Sequence, residues 1–382
     1  MRKQKNKKLC WILVPIMFMS LIAHKVQNAS ADIFADGGKK VSFSNVLLKD
    51  SVKNQSRELE ASTQPVNREV LLYPGGQPIG VRLNTKGVLV VALSDLDNDG
   101  SKIVSPGALA GIEIGDSILS INGEHITSSE QVATIINSCE GKSVRVEIQR
   151  KSETFIKEIK PVKVTTDKSY KLGLWVRDST AGVGTLTFYD ENSGIFAALG
   201  HPITDMDTGT ILSINTGEIL PSTINSVVKG TRGNPGELKG IFVSDNAVLG
   251  SINKNTSCGI IGRTDHRLIN KFNKPMPAAL RSEVKEGPAQ ILTTIFGDQP
   301  ELYDIQIQKL LNQDAPDSKS MVICITDQKL LSKTGGIVQG MSGSPIIQNG
   351  KIVGAVTHVL INRPEVGYGI YIEWMLKEAQ IF

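Results

Sequence analysis

The stretch GGIVQGMSGSPIIQNGKIVGAVTHV, Gly335 to Val359, sets two apolar, β-prone runs around a bend, Gly340-Met341-Ser342-Gly343-Ser344-Pro345. Glycines weaken a strand and let the backbone turn sharply. Turn chemistry alone permits a plain hairpin here. The pattern also fits a loop that exposes a nucleophile. Ser342 would then stand at the bend, with the amides of Gly340 and Ser342 aimed at one point as oxyanion donors. A motif this short is not specific, so the rest of the chain must decide between the two readings.

The chain has 382 residues, enough for two domains with their own cores. Aromatics make up only 5% and glycines number 36, which favours many short strands and turns over a helical bundle. The expected fold class is therefore mainly β. Much of the net charge of +4 sits in Arg2, Lys3, Lys5, Lys7 and Lys8. No basic patch is interleaved with aromatics, so nucleic acid is not an expected partner. The cysteines, Cys10, Cys139, Cys258 and Cys324, form no C-x-x-C pair, and no H-E-x-x-H or Cys/His cluster is present. No metal and no cofactor are expected. Asp95-x-Asp97-x-Asp99-Gly100 copies the start of a calcium loop, but Pro106 stands where the closing glutamate belongs, and the segment reads as a solvated loop.

The basic cluster precedes an apolar run, Leu9 to Ala23, and then Ala29-Ser30-Ala31, the layout of a secretory signal. As a helix that run spans about 22 Å, short of a bilayer core of about 30 Å. Residues 1–31 are expected to be a signal peptide, or an anchor if uncleaved, and the body to be exported across the cytoplasmic membrane. Residues 32–69, polar and without apolar register, read as a linker.

From Val70 the pattern changes. LLYPGGQPIGVRL and GVLVVAL are strand-like runs. SPGALAGIEIGDSILSINGEHI follows, then SSEQVATIINSCEG, an amphipathic helix with an N-cap region at Ser128-Ser129-Glu130-Gln131. SVRVEIQRKSETFIKEIKPV closes as two alternating strands. This segment resembles a PDZ domain of the bacterial protease type, carried by Ser105-Pro106-Gly107-Ala108 and by Gly115-Asp116-Ser117-Ile118 through Gly123. Such a domain takes an extended peptide as an added strand between a strand and a helix. By that resemblance Pro78-Ile79-Gly80-Val81 is the loop that receives a peptide carboxylate, with Ile79, Gly80 and Val81 as peptide-binding residues. The PDZ domain is placed at 70–165.

After Thr165 the chain is a series of short, glycine-punctuated strands, the spacing of a β-barrel or a pair of barrels. A nucleophilic Ser342 needs a base and a group to orient that base. Of five histidines, His201 in FAALGHPITDMDTG ends an apolar strand beside Gly200 and is the best placed. His358 lies near Ser342 in sequence and would line a cleft with Thr357. Two acids fit the His-Asp-Ser order of chymotrypsin-like barrels: Asp245 in FVSDNAV and Asp327 in VICITDQKLL. Spacing does not choose between them.

The segment from Cys324 to Trp374, with LGHPITDMDTG and a preceding PDZ domain, resembles the SpoIVB-type sporulation peptidases of endospore-forming bacteria. The resemblance implies a chymotrypsin-like peptidase domain at 166–382 and a serine endopeptidase with Ser342, His201 and Asp327 as its triad. It also implies sporulation signalling from the intermembrane space around the forespore. The enzyme would cut itself and a membrane-bound regulator, and so unlock intramembrane proteolysis that activates a late mother-cell sigma factor. Its PDZ groove would hold C-terminal tails or extended segments of membrane proteins. The alternatives are a non-enzymatic PDZ scaffold and a sporulation paralogue with another substrate.

Overall fold

A computed structural model describes residues 69–381, apart from 245, 246 and 273. The expected signal or anchor, nearly all of the linker, and Asp245 lie outside the described residues. No helix among the described residues is long and apolar enough to cross a membrane.

The chain builds two closed six-stranded barrels with a third unit inserted into the first. Barrel one is a ring of antiparallel neighbours: Pro78–Leu93, Ile214–Val228, Gly250–Thr256, Gly259–Arg263, Ile195–Ala198 and Leu174–Asp190, which returns to Pro78–Leu93. Barrel two closes through Gly287–Thr293, Glu301–Leu310, Met321–Ile325, Arg363–Tyr371, Lys351–Leu360 and Pro345–Gln348. Closure leaves no unpaired sheet edge within either ring, which suits a chain with so little helix. Ile79, Val81, Leu83, Phe196, Ile219 and Ile260 fill barrel one. Ile291, Tyr303, Ile323, Ile346, Val356 and Ile370 fill barrel two, alternating with outward polar residues as a pleated strand requires.

Two strands belong to two units at once. Pro78–Leu93 and Leu174–Asp190 pair from Thr185↔Pro78 through to Leu174↔Leu93, with bulges near Trp175 and Asp178. Their barrel halves end where the inserted unit begins. That unit has its own core of Val88, Val90, Ile118, Val132, Ile136, Val146 and Ile148. Its helix Ser129–Ser138 starts in a capping box, with Ser128 Oγ accepting the Gln131 amide and the Gln131 side chain accepting the Ser128 amide. Asp116, almost fully buried, is held by Arg150 through Nε at 2.7 Å and Nη2 at 2.8 Å. The inserted unit thus takes residues from about 86 to 177. Of residues 70–85, expected within it, Pro78 onward belongs to a strand of barrel one, and Leu71–Pro74 is a short strand paired with Leu174–Asp190 and Met276–Pro277.

That division corrects the expected peptide-binding loop. Ile79, Gly80 and Val81 are bonded on both sides, to Gly184, Val183 and Gly182 on one strand and to Pro221, Leu220 and Ile219 on the other. Ile79 and Val81 are buried. A strand paired on both edges has no free amides for a peptide.

Candidate active site

Strand Ile195–Ala198 ends at the rim of barrel one. The chain turns there through Leu199, whose φ of 70° is a left-handed conformation uncommon for leucine. The Gly200 amide bonds back to the Ala198 carbonyl at 2.9 Å, and the buried Leu199 side chain holds the turn. Strain of this kind gathers where a side chain must be aimed, and the side chain that follows is His201. His201 Nδ1 lies 2.8 Å from the Pro202 carbonyl oxygen. A carbonyl only accepts, so Nδ1 carries the ring proton and Nε2 is left as the basic nitrogen. Burial lowers the His201 pKa below the ordinary histidine value, opposed by the bond to Pro202. The ring is therefore neutral at pH 7, as a general base must be.

The Ser342 loop comes from barrel two and packs directly on that turn. Gly343 has φ 97°, and a Cβ there would fall 2.1 Å from the Thr185 carbonyl oxygen and 2.5 Å from the Leu199 nitrogen. Only glycine permits this approach. Thr185, on barrel one, clamps the loop: its amide donates to the Ser342 carbonyl at 3.2 Å and its hydroxyl to the Gly340 carbonyl at 2.7 Å. With those carbonyls turned inward, the Gly340 and Ser342 amides have no acceptor among the described residues. Two such free amides at one bend can take a developing oxyanion. Ser344, fully buried, is bonded to Thr293 Oγ1 at 2.8 Å and to the Met341 carbonyl at 2.7 Å, and supports the bend.

Ser342 Oγ donates to the Thr357 carbonyl at 2.9 Å. Thr357 is the extra residue of a β-bulge, since Val356 faces Gly369 and His358 faces Tyr368. The bulge re-aims the backbone locally. His358, the next residue, brings its ring to His201 with centroids 5.1 Å apart and planes tilted by 45°. Burial first, then His201 and Lys319, push the His358 pKa down to about 4, against the pull of Asp317.

Asp327, expected as the acid that orients His201, is not brought to it. Its Oδ1 accepts the Leu330 amide at 2.9 Å as N-cap of the helix Gln328–Thr334, and Oδ2 lies 3.4 Å from the Asp304 amide. Val322 pairs with Tyr368 and so lies level with His358. Asp327 stands five residues further on, roughly 16 Å along the strand direction. Asp before a helix is a preferred cap, and that competing use is the physical reason for its placement. Among the described residues the acceptor on His201 Nδ1 is the Pro202 carbonyl. Thr185 went unnoticed in the sequence because a threonine in a strand carries no signal of its contacts.

The inserted unit carries a cavity between its helix and a strand, elsewhere than the expected loop. This cavity of about 530 Å³ is lined by Val132, Ala133 and Ile136 of the helix, by Leu172 and Gly173, and by Leu174 and Trp175 at the start of the returning strand. The Ser94 amide donates to the Gly173 carbonyl at 3.0 Å. By antiparallel alternation Leu174 then directs its N–H and C=O away from that neighbour, toward the helix side. Gly173 has φ 69°, and the amides of Leu172 and Gly173 have no acceptor among the described residues. The pattern Leu172-Gly173-Leu174 offered the same apolar-Gly-apolar signal as Ile79-Gly80-Val81, at the start of the strand that pairs with Pro78–Leu93.

Two six-stranded barrels meeting at a Gly-Ser bend and a neutral histidine, with a peptide-groove unit inserted, define a two-barrel serine endopeptidase bearing a PDZ domain. Residues 103–150 match the PDZ domain family. Residues 168–376 match SpoIVB peptidase S55, and the chain belongs to that family. Among solved structures, the PDZ domain of an SdrC-like protein from Listeria monocytogenes is 22% identical, covering 24% of this chain and 87% of its own, with a TM-score of 0.20. The active form of the Rv3671c protease from M. tuberculosis is 14% identical, covering 53% of this chain and 74% of its own, with a TM-score of 0.32. Its inactive form, also 14% identical, covers 52% and 83%, with a TM-score of 0.30.

Proposed function

We propose that this peptidase cleaves peptide bonds with Ser342 as nucleophile and His201 as base. The observation that carries the reading is the packing of the Ser342 bend, with its two free amides, onto the turn that presents a neutral His201. Ser342 Oγ leaves the Thr357 carbonyl and gives its proton to His201 Nε2 as it attacks the scissile carbonyl carbon. The Gly340 and Ser342 amides hold the oxyanion. His201 then passes the proton to the leaving amine, and water hydrolyses the acyl-enzyme by the same route. The groove beside Leu172–Trp175 captures an extended segment or C-terminal tail by strand addition.

The body works outside the cytoplasmic membrane, in the intermembrane space around the forespore. Its substrates there are its own N-terminal region and a membrane-associated regulator, whose cleavage starts intramembrane activation of a late mother-cell sigma factor. Family membership and the secretory layout of residues 1–31 support this role. The test is incubation of the purified protein lacking residues 1–31 beside its Ser342→Ala variant, read by gel and mass spectrometry. Self-cleavage in the first and none in the second is the expected result. Equal behaviour of the two removes Ser342 from the chemistry.

A further inference from the structure

Among the described residues, which do not include Asp245, no carboxylate is hydrogen-bonded to His201, and Asp327 caps a helix instead. When the ring takes the serine proton it becomes a cation in a largely desolvated site. A neutral carbonyl dipole on Nδ1 holds the tautomer but answers that charge weakly. The group in ring contact with His201 is another imidazole, that of His358, at 5.1 Å between centroids. Among the described residues the buried His358 Nδ1 has no hydrogen-bond partner. Buried polar atoms are normally paired, and an orphan calls for an explanation.

We propose that His358 is the positioning residue for His201, packing its ring in place and stabilising the imidazolium formed when the Ser342 proton arrives. This rests on the assignment of Ser342 and His201 under Proposed function. His358 neither gains nor loses a proton in the cycle: the proton moves from Ser342 Oγ to His201 Nε2 and on to the leaving amine. His358 acts through the dipole and the unpaired ring nitrogen of a neutral imidazole, which a phenyl ring of similar volume lacks.

The surroundings suit that role. The groups facing His358 are His201 from barrel one, Tyr368 across the strand pair, and Lys319 and Asp317 from the segment before Met321. The Thr357 hydroxyl donates to the Ser318 carbonyl at 2.7 Å and fixes that segment over the site. Lys319 sits 5.4 Å from the Tyr368 ring centre. Its positive charge, with burial, disfavours protonation of His358, so the serine proton stays on His201. The bulge at Thr357 joins the two features, because one backbone kink places the Thr357 carbonyl on Ser342 and sends the next side chain to His201.

The test is the rate of labelling by a fluorophosphonate from pH 5 to 9, on variants first matched for unfolding temperature. Parent protein should label and Ser342→Ala should not. If both label alike, the assignment of Ser342 fails and this inference falls with it. Given that result, His358→Phe keeps ring volume but removes both nitrogens. It should label at least tenfold more slowly, with its pH midpoint moved to lower pH because the imidazolium has lost support. His358→Gln should recover part of the rate. If His358→Phe labels at the parent rate with the parent pH profile while His358→Ala is slow, the ring only fills space, and the proposal is wrong.

Discussion

Thr185 on barrel one holds Ser342 on barrel two: its amide donates to the Ser342 carbonyl at 3.2 Å, and its hydroxyl to the Gly340 carbonyl at 2.7 Å. The nucleophile loop is thus registered against the histidine-bearing barrel by one buried residue. Thr185→Val keeps the shape and removes the hydroxyl, leaving the Gly340 carbonyl unpaired at a cost of about 1–3 kcal/mol. A lower unfolding temperature is expected, with fluorophosphonate labelling slowed about tenfold as the oxyanion amides lose their aim. Unchanged labelling would show that the loop keeps its shape without this clamp.

Asp327 separates capping from catalysis. Asparagine caps a helix about as well as aspartate, whereas alanine costs about 1 kcal/mol. Asp327→Asn is therefore expected to keep the parent's unfolding temperature and label within a few-fold of it. Asp327→Ala should be less stable. Loss of labelling by a stable Asp327→Asn, on the scale of about 10⁴ seen for a true triad acid, would restore the triad that the family resemblance implies.

The lowered His201 pKa sets the acidic limb of activity. A base is lost as pH falls through its own pKa, and a depressed pKa moves that loss to lower pH. Labelling is expected to fall to half its plateau only below the ordinary histidine value of about 6.5. A midpoint at or above pH 7 in a labelling-rate profile would contradict the burial of the ring.

His358 links acidity to stability. In the unfolded chain it protonates near the ordinary histidine value of about 6.5, in the fold only near about 4. The unfolded state thus binds more protons between these values. Stability is at its full value above the upper one and declines as pH falls toward the lower one. The urea midpoint of the parent should drop between pH 6.5 and 4, and that of His358→Gln should drop less. Equal drops would place the acid sensitivity elsewhere.

The peptide groove is open to a direct test at Ala133, an exposed helix residue on its wall. Ala133→Glu inserts a carboxylate where a peptide carboxylate or strand would lie. Binding of a fluorescent peptide that ends in a free apolar residue should weaken at least tenfold, at an unchanged unfolding temperature. The parallel change Val81→Ala would mainly loosen barrel one. Loss of peptide binding by Val81→Ala in a stably folded protein, with none by Ala133→Glu, would return the groove to the Pro78–Val81 segment.

The sequence by itself determined what local chemistry controls. Glycines at 340 and 343 specify a bend, Ser128 and Gln131 a capped helix start, and alternating apolar residues the barrel strands, each from neighbours a few positions apart. Ser342, His201 and Gly340 were legible for that reason. Tertiary structure alone decided which edges pair. Ile79-Gly80-Val81 and Leu172-Gly173-Leu174 carry the same short pattern, and only the barrel's closure occupies both edges of the first and leaves the second to the helix. Asp327 ends one strand and opens one helix, two roles that share a sequence signature, and the cap won because Leu330 lies within reach and His201 does not. Thr185 and His358 gained their roles from residues more than 150 positions away, Gly340 and Ser342 for the first and His201 for the second. No period or propensity encodes contacts at that range; they arise where two closed barrels are pressed together and each rim meets the other.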